Sequence, residues 1–230
     1  CFTGIVSNEQ NLNYRKKVNG RYTDAGQLFE SDMALEIGPS PENLNSKCSM
    51  LSASLLLEGY VQRSDTVIIA IHSYQSPSEM IESVKAILTP EGNTSAIFAL
   101  ADESTGYFIS VKHRNSIETW SKDTILHFSN SELFYDFTRD TMQAYGNNMK
   151  LINGKAHIYS GDVNQDRQIE ITDASLVSND AFEYLLGFSR TDLNGDGIVD
   201  SSDMIMVDGN VFRYVTARIP ISAGLNSASK

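Results

Sequence analysis

Little in the 230 residues points to a membrane, to nucleic acid or to a catalyst. No apolar run approaches the roughly 18–20 residues that a membrane-spanning helix needs. Basic residues are scarce: 18 Lys and Arg stand against 29 Asp and Glu, and the net charge of −11 repels phosphate backbones and anionic lipid alike. No HExxH pair, G-x-S-x-G elbow, P-loop or dinucleotide-binding glycine fingerprint occurs. The four histidines, His72, His113, His127 and His157, keep no metal-binding spacing and are expected at a sheet surface. The single tryptophan, Trp120, lies in "HRNSIETW" and reads as packing more readily than as a sugar platform. Only two cysteines are present, Cys1 and Cys48. They are open to three readings: one disulfide, a lipidated Cys1, or two free thiols. The chain starts at Cys rather than Met, so a processed product or a fragment of something longer is expected.

The acidity is concentrated. Between Ser160 and Ala217 eleven acidic side chains face three arginines, so that stretch holds −8 of the −11. Before it, residues 1–50 show no clear periodicity. "YRKKVNGRYTDAG" and "SPENLNSK" read as loop and turn, an arm or the tail of a preceding domain. From Leu51 to about residue 159 the texture is short period-2 runs between turn residues: Leu51, Ala53, Leu55 and Leu57, then Val67, Ile69 and Ile71, and onward through "SAIFAL", "GYFISVKH" and "LFYDF". Such runs predict an antiparallel β-sandwich. Within it, Phe98 and Leu100 lead through a polar turn to Gly106-Tyr107. That pattern resembles prealbumin-like, carboxypeptidase regulatory-like sandwiches, which are usually non-catalytic accessory modules.

The C-terminal acidic stretch is a repeat with an offset of thirty. "GDVNQDRQIEITD" is matched by "TDLNGDGIVDSSD": Asp162 with Asp192, Asn164 with Asn194, Asp166 with Asp196, Asp173 with Asp203. Val177 and Val207, Phe182 and Phe212, and Tyr184 and Tyr214 continue the match, so a whole structural unit is duplicated. Oxygen side chains at positions 1, 3, 5 and 12 have the spacing of a calcium loop. Ca²⁺ takes about 6–8 oxygen ligands, with a backbone carbonyl supplied at position 7, here Gln168 and Ile198. Position 8 is apolar in both copies, Ile169 and Val199, which predicts a small contact between the paired loops. Two ions are expected. Position 12 is Asp rather than Glu, and no helix pattern precedes Asp162, which argues against a two-helix sensor. Position 6 is Gly197 in the second copy but Arg167 in the first. A left-handed backbone there costs Arg about 1–2 kcal/mol, so the first site is expected to be the weaker.

A duplicated loop-then-helix with Asp at position 12 resembles the type I dockerins, over about residues 161–220. The resemblance implies two calcium ions, two antiparallel loop-helix units, a short linking helix and a cohesin-like protein partner. It places partner contacts at Ile171, Thr172, Ser201 and Ser202 and on the helix just after. Ile in one half and Ser in the other argue against a symmetric two-way mode. Asn93-Thr94-Ser95 is a formal N-glycosylation sequon. Thr66, Thr124 and Thr141 sit in Asp-Thr-apolar triplets that resemble a short O-glycosylation motif of Bacteroidetes secreted proteins.

The expected architecture is therefore mixed and multidomain. An arm (1–50) precedes an antiparallel β-sandwich (51–159), a small all-α dockerin-like domain (160–217) and a tail (218–230). The expected function is a calcium-stabilised, non-enzymatic interaction or anchoring module, extracellular or on a bacterial cell surface. Two alternatives stand beside it. One is a structural subunit of a self-assembling surface structure, with calcium as a staple. The other is the non-catalytic C-terminal part of a larger secreted hydrolase.

Overall fold

Alternation of apolar and polar residues builds two sheets. The computed structural model describes residues 15–18, 21–24, 48–60 and 63–221. β1 (Arg15–Val18) and β2 (Arg21–Asp24) pair antiparallel, so "YRKKVNGRYTDAG" is not merely loop and turn. The Asn-Gly pair between these strands in sequence is the type that favours a tight hairpin. This hairpin belongs to a separate compact unit; of the rest of the expected arm only residues 48–50 are described, and Ser49 and Met50 already form part of the first sandwich strand, because their side chains continue its alternation. Cys48 is disulfide-bonded, which removes its free-thiol reading; Cys1 is outside the described residues.

One sheet has three strands in the order β6 (Asn93–Phe98), β3 (Ser49–Ser54), β9 (Glu132–Asp136). The other has four, in the order β5 (Met80–Leu88), β4 (Asp65–Ser73), β7 (Tyr107–His113), β8 (Ser116–Trp120). Leu51, Phe98 and Leu133 from the first share one core with Val67, Ile69, Ile71 and Ile109 from the second. The result is a β-sandwich with a small helical part. Its strand pairing departs from the expected antiparallel pattern in one place: β3 and β9 run parallel, with Leu51 opposite Leu133. Parallel neighbours need a crossover, and the whole four-stranded sheet lies between these two in sequence.

A two-stranded ribbon, β10 (Lys150–Ile152) with β11 (Lys155–His157), leads toward the acidic repeat. α1 (Ile171–Phe182) and α2 (Ser201–Val211) each follow one loop. Only a narrow stripe of each helix faces inward, Ala174 and Val177 on one and Val207 and Asn210 on the other. Residues 183–200 contain turns and no helix, so the linking helix implied by the resemblance does not form. Ile158, Val163, Ile169, Leu193, Val199 and Val207 join the sandwich core, and everything described from Cys48 onward is one compact unit.

The joint is polar as well as apolar. The turn between β7 and β8 seats on the second loop: Asn115 Nδ2 donates to the Asp192 carbonyl at 2.8 Å, and Arg114 Nη1 donates to the carbonyls of Ser189 and Asp192. Arg63 Nη1 donates to the Gly195 carbonyl at 2.7 Å. Gly195 has no room for a side chain, because a Cβ there would lie 2.5 Å from Tyr60. On the other side, Asn210 of α2 donates to Glu58 (2.6 Å) and to the Ser160 carbonyl (2.8 Å), and Glu58 is also paired with Lys150.

Two histidines differ from expectation. His72 and His113 are buried, because each finds polar partners inside. His113 lies between Asp65 Oδ2 (3.1 Å) and Asn115 Oδ1 (2.9 Å), and His72 meets Ser110 Oγ at 2.9 Å. Trp120 is buried too, but opposite Ser110 on the outer face of the four-stranded sheet rather than between the sheets. Truncating the joint should be felt globally. Asn115→Ala leaves the Asp192 carbonyl and the His113 ring short of a partner, an expected loss of about 1–3 kcal/mol. Thermal denaturation should then fall by roughly 2–4 °C per kcal/mol for a domain of this size; an unchanged midpoint would show the contact to be dispensable.

Candidate metal centre

The two loops repeat the same bonds at positions 3, 5 and 12. At position 12, Asp173 Oδ1 accepts from the backbone N–H of Val163 (2.9 Å) and Asn164 (3.2 Å), and Oδ2 accepts from Glu170 (3.0 Å). Asp203 accepts from Leu193 (2.7 Å), Asn194 (3.1 Å) and Asp200 (2.9 Å). At position 3, Asn164 Oδ1 accepts from Asp166 N–H and Asn194 Oδ1 from Asp196 N–H. At position 5, Asp166 accepts from the Gln168 N–H and Asp196 from the Ile198 N–H. Position 12 also helps to start each helix, since its carboxylate bonds the N-cap backbone. The same aspartate thus closes the loop and opens the helix.

Positive φ recurs at positions 4 and 6: Gln165 (63°) and Arg167 (74°) in the first loop, Gly195 (74°) and Gly197 (91°) in the second. The left-handed backbone expected at Arg167 is therefore present. In the second loop both turns point N–H groups at position 1: Asp192 accepts from Gly195 (2.8 Å) and Gly197 (3.1 Å). In the first, Asp162 Oδ2 accepts from Arg167 N–H at 3.2 Å, while Oδ1 is buried without a well-formed partner. At position 8 the loop backbones do not bond to each other. Instead each pairs with the segment beyond the other's helix: Ile169 N–H donates to the Val215 carbonyl, and Val199 N–H to the Leu185 carbonyl. Ile169 and Val199 are buried in the common core. The reason is reach: the chain leaving each helix runs back past the opposite loop and takes its free backbone groups.

Positions 1 and 12 are buried in both loops, whereas Asn164, Asp166, Gln168, Asp196 and Ile198 lie at the exposed lip and Asn194 is half-buried. Burial and the nearby Asp173 charge push the Asp162 carboxyl up to about 7. Burial also raises Asp173 and Asp192. Among the described residues no three His, Cys, Asp or Glu side chains form a ready-made metal group. A hard cation would have to draw each loop's carboxylates inward, joined by the position-3 amide and the position-7 carbonyl. The buried, unpartnered Asp162 Oδ1 and the raised carboxyls fit such an ion, since a bound cation relieves both penalties. Asp162, Asn164, Asp166, Gln168 and Asp173 would hold one, and Asp192, Asn194, Asp196, Ile198 and Asp203 the other.

Ile171, Thr172, Ser201 and Ser202 are exposed at the first turns of the helices. The two hydroxyls of Thr172 and Ser202 accept from Asn164 and Asn194 respectively. Further large side chains are exposed at and past the ends of both helices. Phe182 and Phe212 are 87% and 85% exposed, Tyr184 and Tyr214 73% and 85%. Both tyrosines hold a left-handed backbone just past their helices, at 51° and 54°, where glycine is usual. Of the matched pairs Val177/Val207, Phe182/Phe212 and Tyr184/Tyr214, only Val177 and Val207 are core. Thr66 and Thr124 are exposed and Thr141 half-buried.

One constellation resembles a nucleophile relay: Asp65, His113 and Ser116, with Ser116 Oγ 3.3 Å from His113 Nδ1. Ser116 is buried, and Asn115 Oδ1 holds the same nitrogen more closely, at 2.9 Å. These groups lock the β7–β8 turn. Compared with known proteins, the chain matches no family model and no curated sequence.

A pH test isolates the first loop. The folded carboxyl of Asp162, near 7, keeps a proton that the unfolded chain, near 3.8, has released. Without metal it therefore stabilises the fold at low pH, and that contribution is lost as pH rises through about 7. Asp162→Asn stays neutral throughout. In chelator the variant and the parent should melt alike near about pH 4, with the variant higher above about pH 7.5. With calcium the order at the higher pH should invert. The same order in both buffers would sink a cation role for Asp162.

Proposed function

We propose that the chain is a calcium-stapled, non-enzymatic interaction module of an extracellular or cell-surface bacterial protein, dockerin-like in its C-terminal part. The observation that carries this reading is the duplicated cradle: two loops thirty residues apart, each burying the carboxylates of positions 1 and 12 around inward-pointing N–H groups. Repulsion between those carboxylates makes folding and cation binding interdependent. Extracellular calcium, at millimolar levels, suffices for even weak loops. The helices supply the other half of the argument. At the end of each helix stand an exposed Phe and Tyr at matching positions of the repeat, and exposed aromatic side chains are candidates for partner contacts. A cohesin-like module is the partner that the resemblance suggests.

A second reading has its own support. Loop backbone is bolted to the sandwich through Asn115, Arg114 and Arg63, which suits calcium acting purely as a structural staple in a surface assembly.

Calorimetric titration of the chelated chain should give two calcium equivalents, the weaker assigned to the first loop by its loss in Asp162→Asn. Chelator should lower the melting transition, and an unchanged melt would end the calcium reading. The two functional readings part at the aromatics. Replacing Phe182, Tyr184, Phe212 and Tyr214 by Ala should leave stability within about 0.5 kcal/mol per site. The same variant should abolish calcium-dependent binding to purified cohesin modules. If the parent chain binds no cohesin but forms ordered polymers, the assembly reading takes its place.

A further inference from the structure

The outer face of the four-stranded sheet carries a cleft of about 550 Å³, within the range of roughly 300–1,000 Å³ usual for small-molecule sites. His72, Ser110 and Trp120 form its floor, one from each of three adjacent strands. All three are buried. The His72 ring rests against Trp120 with centroids 4.0 Å apart, and its Nε2 is bonded to Ser110. Its Nδ1 is buried without a well-formed hydrogen bond, the Pro77 carbonyl being the nearby backbone group. Burial pulls His72 down to about 4, so the floor is uncharged at neutral pH. Ile68, Met80 and Ile219 make the surrounding wall largely apolar.

Charge enters from one side. The buried Glu118 carboxylate accepts from Trp120 Nε1 at 2.9 Å and from Arg167 Nε at 2.8 Å, and pairs with Lys112 Nζ at 3.2 Å. One carboxylate thus faces two cations, leaving a surplus positive charge in a chain of net −11. The Lys112 and Arg167 side chains are 42% and 52% exposed, and each has N–H donors beyond the one spent on Glu118.

Arg167 makes the arrangement more than a chance hollow. It occupies the left-handed position of the first loop, where the twin loop has Gly197. L side chains resist that conformation, and such strain is retained where the side chain serves another purpose. The loop itself does not need the side chain, because the twin forms the same bonds without it. The guanidinium leaves the loop and walls the cleft instead.

We propose that this cleft binds a small organic acid, with an apolar body seated over His72, Ser110 and Trp120 and a single carboxylate held by Lys112 and Arg167. The proposal needs the first loop folded as described but does not need it to hold calcium.

Trp120 is the chain's only tryptophan, so its emission reports on this cleft alone. The probe is 4-phenylbutyrate, titrated into the full chain in calcium-containing buffer, with 4-phenylbutanol as the uncharged control. The acid should give a saturable change in emission, and the alcohol should bind at least about tenfold more weakly, because a charge-assisted hydrogen bond is lost. Arg167→Gly, which copies the twin loop, should also weaken the acid by at least about tenfold while melting no lower than the parent. Lys112→Met, outside the loop, should weaken it as well. No saturable change, equal binding of acid and alcohol, or parental affinity in both variants would each overturn the proposal. A melt insensitive to chelator would remove the calcium reading and leave this titration standing.

Discussion

Aspartates that share a small buried space must be held apart from one another or bridged. In each loop of this protein the position-12 aspartate takes three backbone N–H groups, and the position-1 aspartate takes those that the left-handed turns provide. That arrangement sets the loop path, fixes where the helix starts and orients the exposed lip. Burial outweighs those bonds and leaves Asp162, Asp173 and Asp192 harder to ionise than ordinary carboxyls, with Asp162 the extreme. The burial that makes these side chains costly alone is what makes them suited to a divalent cation.

The loops could not stand free in this form. Each gives its position-8 N–H to the chain beyond the other's helix, so neither half is complete without its twin. The pair is in turn fastened to the sandwich by the β7–β8 turn and by Asn210 on Glu58. Ile158, Val163 and Val207 carry the apolar core through the joint. A small helical unit, marginal at such a size, thereby borrows the core of the sheets.

The twins are equal in backbone and unequal in use. Gly195 and Gly197 allow the second loop to lie against Tyr60 and Arg63. Gln165 and Arg167 adopt the same left-handed turns with side chains attached, and both side chains reach the β7–β8 hairpin, at the Ser116 carbonyl and at Glu118. One copy presses its backbone on the sandwich; the other touches it with side chains.

The sequence by itself determined the local patterns. Period-2 runs such as Val67-Ile69-Ile71 give buried strand faces because successive side chains point to opposite sides. The spacing of Asp162, Asn164, Asp166 and Asp173 dictates a turn whose oxygens bond the next backbone N–H, a contact made within a dozen residues. What lies across the chain was not legible. Parallel pairing of β3 with β9 depends on where a crossover of nearly eighty residues returns. His72 and His113 are buried because distant Ser110 and Asp65 meet them. Val177 and Phe182 look alike as repeated apolar positions, yet one is core and the other is solvent-exposed, since a helix has more than one apolar side and only the packed partner chooses between them. Arg167 read as a flaw in a loop; only the sheet beneath it, with Glu118 and Trp120 on its outer face, decided that its side chain has a place to go.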